Sequence, residues 1–220
     1  MLTLDKIYHA AFTLKNVVRT TDILSSRGIK KDAHMYLKTE NLQTTGSFKV
    51  RGAYYKISQL NDEQKKAGVI ACSAGNHAQG VALSATRNGI KSVVCMPDGA
   101  PISKVEATKG YGAEVVLVPG VYDDAYNRAV ELQKEFGYTF VHPFDDEDVI
   151  AGQGTIGLEI LNQLEHIDAI VVPIGGGGLI SGIAFAVKNL RPEIKIYGVQ
   201  AQNAPSMSES VKKKEKITLE

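Results

Sequence analysis

Three short segments of this chain combine residue types that could do chemistry. Gly175, Gly176, Gly177 and Gly178 stand between the apolar run Ile170-Val171-Val172-Pro173-Ile174 and a helical pattern that opens at Leu179. Without Cβ atoms, such a turn lets several N–H groups converge on one anion, and the helix start adds its positive end. The strand–glycine–helix order therefore reads as a phosphate cradle. The second segment, Cys72-Ser73-Ala74-Gly75-Asn76-His77-Ala78, also joins a strand to a helix. Its small residues leave backbone donors open to a carboxylate or a ring hydroxyl, and Asn76 adds an amide. A helix cap centred on Asn76 accounts for the same letters. His77 is either a general base or a structural histidine at a helix start. The third segment holds Phe48, Lys49, Val50, Arg51 and Gly52. A lysine becomes a Schiff-base nucleophile when part of its population loses its charge, through desolvation or a cationic neighbour. Phe48 offers the apolar wall and Arg51 the cation. Alone, the same lysine reads equally well as a surface residue.

A fourth segment imitates a nucleotide site. Gly152-Gln153-Gly154-Thr155-Ile156-Gly157 spells the dinucleotide G-x-G-x-x-G pattern. The acidic stretch before it is a poor strand, and no acid follows about 20 residues on to hold a ribose. These glycines read instead as room for a helix to start close against its neighbours, and a NAD-dependent oxidoreductase is the least favoured reading.

Positioning these segments requires an α/β framework. Strands are expected at 34–37, 69–73, 92–96, 114–118, 139–141, 169–174 and 194–199. Helices are expected at 48–60, 78–88, 104–110, 122–136, 155–163 and 179–189. The alternation argues for a mostly parallel sheet, and the apolar runs at 170–172 and 115–117 read as strands buried on both faces. The chain has 220 residues, 44% hydrophobic, with 25 basic and 24 acidic side chains and a net charge of +1. No global field points to nucleic acid or membrane. The N-terminus lacks a signal-peptide profile, and the expected location is the cytoplasm. Cys72 and Cys95, both in apolar runs, read as reduced core thiols.

Taken together, Phe48-Lys49, the loop from Ser73 to His77 and Gly175 to Leu179 follow the order of the fold-type II pyridoxal-phosphate enzymes (tryptophan synthase β-like). The chain resembles the catalytic domain of threonine dehydratases (threonine ammonia-lyases) up to about residue 205. The resemblance implies pyridoxal 5′-phosphate as cofactor, with Lys49 as Schiff-base lysine and base at Cα. It puts Phe48 against the cofactor ring, Asn76 at its 3-oxygen, and Gly175, Gly176, Gly177, Gly178 and Leu179 at its phosphate. Ser73, Ala74, Gly75 and His77 belong to the loop that grips the substrate carboxylate, with Thr45 and Gly46 nearby. The implied reaction is β-elimination on L-threonine, giving 2-oxobutanoate and ammonia, and also on L-serine, giving pyruvate.

Departures from related types narrow this expectation. Val50 stands where the cysteine synthase type carries an acid. Ala74 stands where serine racemases usually carry a second base, which makes racemisation weak. Gln200 and Ser206 replace the carboxylates that hold a divalent metal in those racemases, so no metal is expected there. The implied architecture is a large cofactor-binding lobe, residues 1–50 and 147–220, around a small lobe, residues 51–146. The large lobe reads as incomplete at its C-terminal end, where the family's partner for the pyridine nitrogen would lie. The alternative reading is thus a catalytically incomplete cofactor- or nucleotide-binding fragment. An amino-acid substrate, a homo-oligomer and an AMP-type effector complete the expected partners.

Overall fold

A computed structural model describes residues 1–26 and 33–218. In chain order the elements are α1 (Leu4–Leu14), β1 (Ile23–Ser26), β2 (Met35–Lys38), α2 (Lys49–Ser58), α3 (Asp62–Ala67), β3 (Val69–Cys72) and α4 (Asn76–Arg87). They continue as β4 (Ser92–Pro97), α5 (Ile102–Gly110), β5 (Glu114–Val118), α6 (Tyr122–Phe136), β6 (Thr139–Phe140) and α7 (Glu147–Gln163). The last are β7 (Ala169–Pro173), α8 (Gly178–Leu190), β8 (Lys195–Val199) and α9 (Ser206–Lys213). Two 3₁₀ turns, Glu40–Leu42 and Thr44–Gly46, lead into α2.

The central sheet is parallel throughout, in the order β5-β4-β3-β6. β3 and β4 are buried along almost their whole length, as parallel strands covered on both faces must be. Side-chain alternation sorts the covers. Val69 and Ala71 face Ala53 and Ile57 of α2 and Val81 and Ala85 of α4. Ile70 and Cys72 point the other way, onto Ala125, Ala129 and Leu132 of α6. β7 and β8 form a separate parallel pair, and β1 and β2 an antiparallel one. The expected α/β class and parallel sheet are present. Residue 50, where the lobe boundary was placed, lies in the first turn of α2.

Three expectations need correction. Val171 of β7 is 62% and Leu117 of β5 47% exposed, so neither strand is buried on both faces. α7 begins at Glu147, not 155, because Asp146 caps it by accepting from the N–H groups of Asp148 (2.8 Å) and Val149 (3.2 Å). The Gly152–Gly157 pattern therefore sits inside a helix, not at its start. A Cβ on Gly152 would lie 2.6 Å from the Arg51 carbonyl and the Gly52 Cα. The glycine brings α7 into backbone contact with α2, and that is what the motif serves. The elements α1, β1, α3 and α9 were not expected, although two carry legible signals. Thr3 caps α1, which buries Ile7, Ala10 and Leu14 as one stripe. Asn61 and Gln64 form a reciprocal capping box at α3.

Candidate active site

Lys49 is the first residue of α2, and Phe48 before it makes no capping bond. The amine lies 5.5 Å from the centroid of the Phe48 ring and donates to the carbonyl of Pro143 at 2.6 Å. Burial holds its pKa down to about 8, against an ordinary 10.5. The neighbouring cation expected from the sequence has no part in this. Arg51 points into the other side of α2, where Glu40 and Glu159 bind it at 2.6 to 3.0 Å. Removal of water alone activates the lysine, with no carboxylate to restore its charge.

Lys49 opens into a cavity of about 190 Å³ lined by Phe48, Pro143, Phe144, Gln153, Pro173, Gly175, Gly176, Gly177, Gly178 and Leu179. Two of the three sequence segments thus meet in one space. The glycine loop runs from β7 into α8, and no side chain caps the helix. The first bond within α8 is Ser181 N–H to the Gly177 carbonyl, at 2.9 Å. The N–H groups of Gly178, Leu179 and Ile180 therefore precede the ladder and are left to an anion. Gly177 takes φ +91°, and a Cβ on Gly178 would lie 2.7 Å from the Phe144 carbonyl. Both positions exclude other residues, the first by conformation and the second by space.

The Ser73–His77 loop does not line this cavity. α4, which it starts, crosses the base of α2 so closely that a Cβ on Gly80 would lie 3.2 Å from the Lys49 carbonyl. The Ser73 hydroxyl accepts from the Gly75 N–H at 3.2 Å. Gly75 is the N-cap of α4, so Asn76 is not a cap; its amide oxygen accepts from Lys104 Nζ at 3.3 Å. His77 is buried and its Nε2 contacts the Val141 carbonyl at 2.9 Å, so Nε2 carries the proton. Burial above all, with the charges of Lys49 and His142, holds its pKa to about 3. Such an imidazole is too weak a base for proton transfer at neutral pH, and His77 offers the loop its main chain only. Thr45 departs from ordinary backbone at φ 72°, and its buried hydroxyl has no partner among the described residues.

The sequence reading missed Pro143, Phe144 and Gln153. Pro143 and Phe144 belong to the turn between β6 and α7, and Gln153 lies in the glycine pattern first read as a nucleotide decoy. A larger cavity of about 320 Å³ lies among α1, α7 and the buried side of α2. Its Arg51 and Glu159 bind each other, and Lys15 is its one charged lining residue without an ion-pair partner among the described residues. Near the chain's end Gln200 accepts from the Ser208 N–H at 3.1 Å and lies 3.5 Å from the Ser206 hydroxyl.

Comparison with known proteins gives this geometry a family. The chain is 52% identical over 215 residues to an L-threonine ammonia-lyase of Thermotoga maritima, matching 97% of this chain and 54% of that protein. It is 49% identical to an L-threonine dehydratase, catabolic TdcB, of Staphylococcus aureus, matching 97% of this chain and 63% of that protein. The chain thus spans little more than half to under two thirds of the length of these relatives. Among solved structures, a serine racemase of maize superposes with a TM-score of 0.95 at 38% identity, over 99% of this chain and 67% of that one. The family described as pyridoxal-phosphate dependent enzymes matches residues 14–220, and this chain belongs to it.

Proposed function

We propose that this chain holds pyridoxal 5′-phosphate on Lys49 and forms the catalytic part of an enzyme that converts L-threonine to 2-oxobutanoate and ammonia, and L-serine to pyruvate. One observation carries the reading: a buried lysine without a counter-charge and an uncapped glycine loop share one cavity. An aldehyde and a phosphate on one flat ring match those two features. The names of the Thermotoga and Staphylococcus relatives support threonine as substrate.

In this proposal Gly175 to Gly178 and the Leu179 N–H hold the phosphate, Phe48 packs against the ring, and Asn76 faces its 3-oxygen. When bound, the cofactor supplies a sink for the electron pair left as the Cα–H bond breaks. Lys49 anchors the cofactor and, once the substrate amine replaces it, takes the Cα proton at Nζ. Its depressed pKa suits both tasks near neutral pH. The Ser73–Asn76 loop, with the His77 main chain, orients the substrate carboxylate. Ala74 has no proton to move, which favours elimination over racemisation. The lobe division at residues 51–146, a homo-oligomeric state and an AMP-type effector belong to the same proposal. So does a cytoplasmic setting, in keeping with two buried free thiols.

The test is a visible spectrum with added pyridoxal phosphate, coupled to a 2-oxo acid assay with threonine. Colour that disappears in Lys49→Ala, with 2-oxobutanoate formed, supports the whole reading. Colour without product leaves a cofactor-binding piece, the reading favoured by a chain that spans 54% of its Thermotoga relative. A chain that ignores the cofactor sinks the proposal.

A further inference from the structure

The turn between β6 and α7 touches both ends of the cavity. Its Pro143 carbonyl accepts from Lys49 Nζ at 2.6 Å. The Phe144 ring fills the space where a Gly176 side chain would stand, and the Phe144 carbonyl abuts Gly178. Neither the Phe144 nor the Asp145 N–H finds a backbone acceptor among the described residues. Both turn instead to His142 Nδ1, at 3.4 Å and 2.8 Å. The donors that close this turn are the Phe144 and Asp145 N–H groups, and the His142 side chain takes the place of a main-chain carbonyl as their acceptor, as the side chain does in an Asx turn. The ring packs edge-on to Phe144, at 4.6 Å between centroids, and lies 6.4 Å from Phe140. At its other end the turn is pinned by Asp146, which caps α7 and pairs with Lys56 of α2 at 2.7 Å.

We infer that His142 is a positioning residue for Lys49 and the glycine loop together, because its Nδ1 folds the turn that supplies the Pro143 carbonyl and the Phe144 wall. The acceptor role requires the neutral ring with its proton on Nε2. Burial and the Lys49 charge favour that form, against Asp145 and Asp146, which favour the charged one. His142 works through the turn, without contact to reacting atoms. The inference rests on the reading of Lys49 as the cofactor anchor.

Three variants separate acceptor from ring. His142→Asn keeps a side-chain oxygen able to accept from the N–H groups two and three residues on. His142→Phe keeps the ring and loses the acceptor, and His142→Ala loses both. In the cofactor-free chain, competitive labelling with an amine-reactive reagent, read by peptide mass spectrometry, measures the Lys49 pKa. His142→Phe and His142→Ala are expected to move it back towards 10.5, while His142→Asn stays near the wild-type value of about 8. Titration with pyridoxal phosphate, followed by absorbance, is expected to show about tenfold weaker binding in His142→Phe, equivalent to about 1.4 kcal/mol. His142→Asn should stay within about threefold of wild type, a fraction of that energy. An unchanged Lys49 in His142→Phe overturns the inference, as does equal damage in His142→Asn and His142→Phe. If the wild-type chain takes up no cofactor, the functional proposal fails while the labelling arm still decides the role of His142.

Discussion

Lys49, half-buried, and Arg51, buried, are two cations on one helix, about 200° apart around its axis, and they do opposite things. The Arg51 side chain is 1% exposed, yet every nitrogen of its guanidinium has an oxygen partner: Glu40, Glu159 and the Thr155 hydroxyl. Burial works against its charge, but the bonds to Glu40 and Glu159 outweigh burial and raise its pKa. Lys38 joins the cluster by pairing with Glu159 at 2.6 Å. Lys49 has one neutral carbonyl, and its pKa falls. Burial is common to both. The partner set decides whether a buried cation locks helices together or becomes a reactive amine.

The sharpest way to break this comparison is to remove the locked cation. Arg51→Met leaves Glu40 and Glu159 half-buried with their main partner gone. Stripping one partner from a buried ion pair typically costs about 3–5 kcal/mol. A loss of that size in unfolding free energy is expected, read as a lower urea midpoint at unchanged m-value. A loss below about 1 kcal/mol would mean that water or Lys38 already compensates the carboxylates, and that the two sites differ less than their geometry says.

The second effect concerns Lys49 and carries the opposite sign. In Lys49→Met the uncompensated burial disappears. Below pH 8 both folded and unfolded wild-type chains hold the lysine proton, so the wild type bears the full penalty of a buried charge. Above pH 8 the folded state sheds that proton first, and the penalty fades until the unfolded lysine also titrates near 10.5. The variant is therefore expected to be more stable by on the order of 3 kcal/mol below pH 8, with the gap closing as pH approaches 10.5. Cys72 and Cys95, pushed up to about 11 by burial, act in the opposite direction over part of that window. They are common to both proteins, so the difference between wild type and variant isolates Lys49. A gap that is absent, or that widens with pH, contradicts a lowered lysine pKa.

The two cations also mark what could be read without a structure. The glycine loop and Lys49 were legible because each is local: a strand, four glycines and a helix follow in order, and the phenylalanine adjoins the lysine. The family resemblance assigns them to one site, and the two line one cavity. The activating cause was not legible. Arg51 lies two residues from Lys49 in sequence, but the helical repeat turns it away, towards partners 11 and 108 residues distant. Pro143, which receives the lysine, is 94 residues away. No local pattern encodes such contacts; they follow from how α2, α4 and α7 cross. The crossings themselves left a legible trace: Gly152 and Gly154, expected to let a helix start close against its neighbours, do give close approach, but inside α7, where their missing side chains admit α2 and α8.

The smallest expected effect sharpens the comparison most directly. Arg51→Lys keeps the charge beside Glu40 and Glu159 but replaces a five-donor fork by a single ammonium, which cannot reach both carboxylates and Thr155 at once. Losing one charge-assisted bond costs about 1.5 kcal/mol, half or less of the loss expected in Arg51→Met. The lysine so introduced then sits two residues from Lys49, on the same helix and at a more deeply buried position. Competitive labelling of the two amines in one protein is expected to give a pKa at or above the ordinary 10.5 for the new lysine and about 8 for Lys49. The more deeply buried lysine would then keep the higher pKa because carboxylates face it. Equal values would show that depth in the fold, not the partner set, governs both.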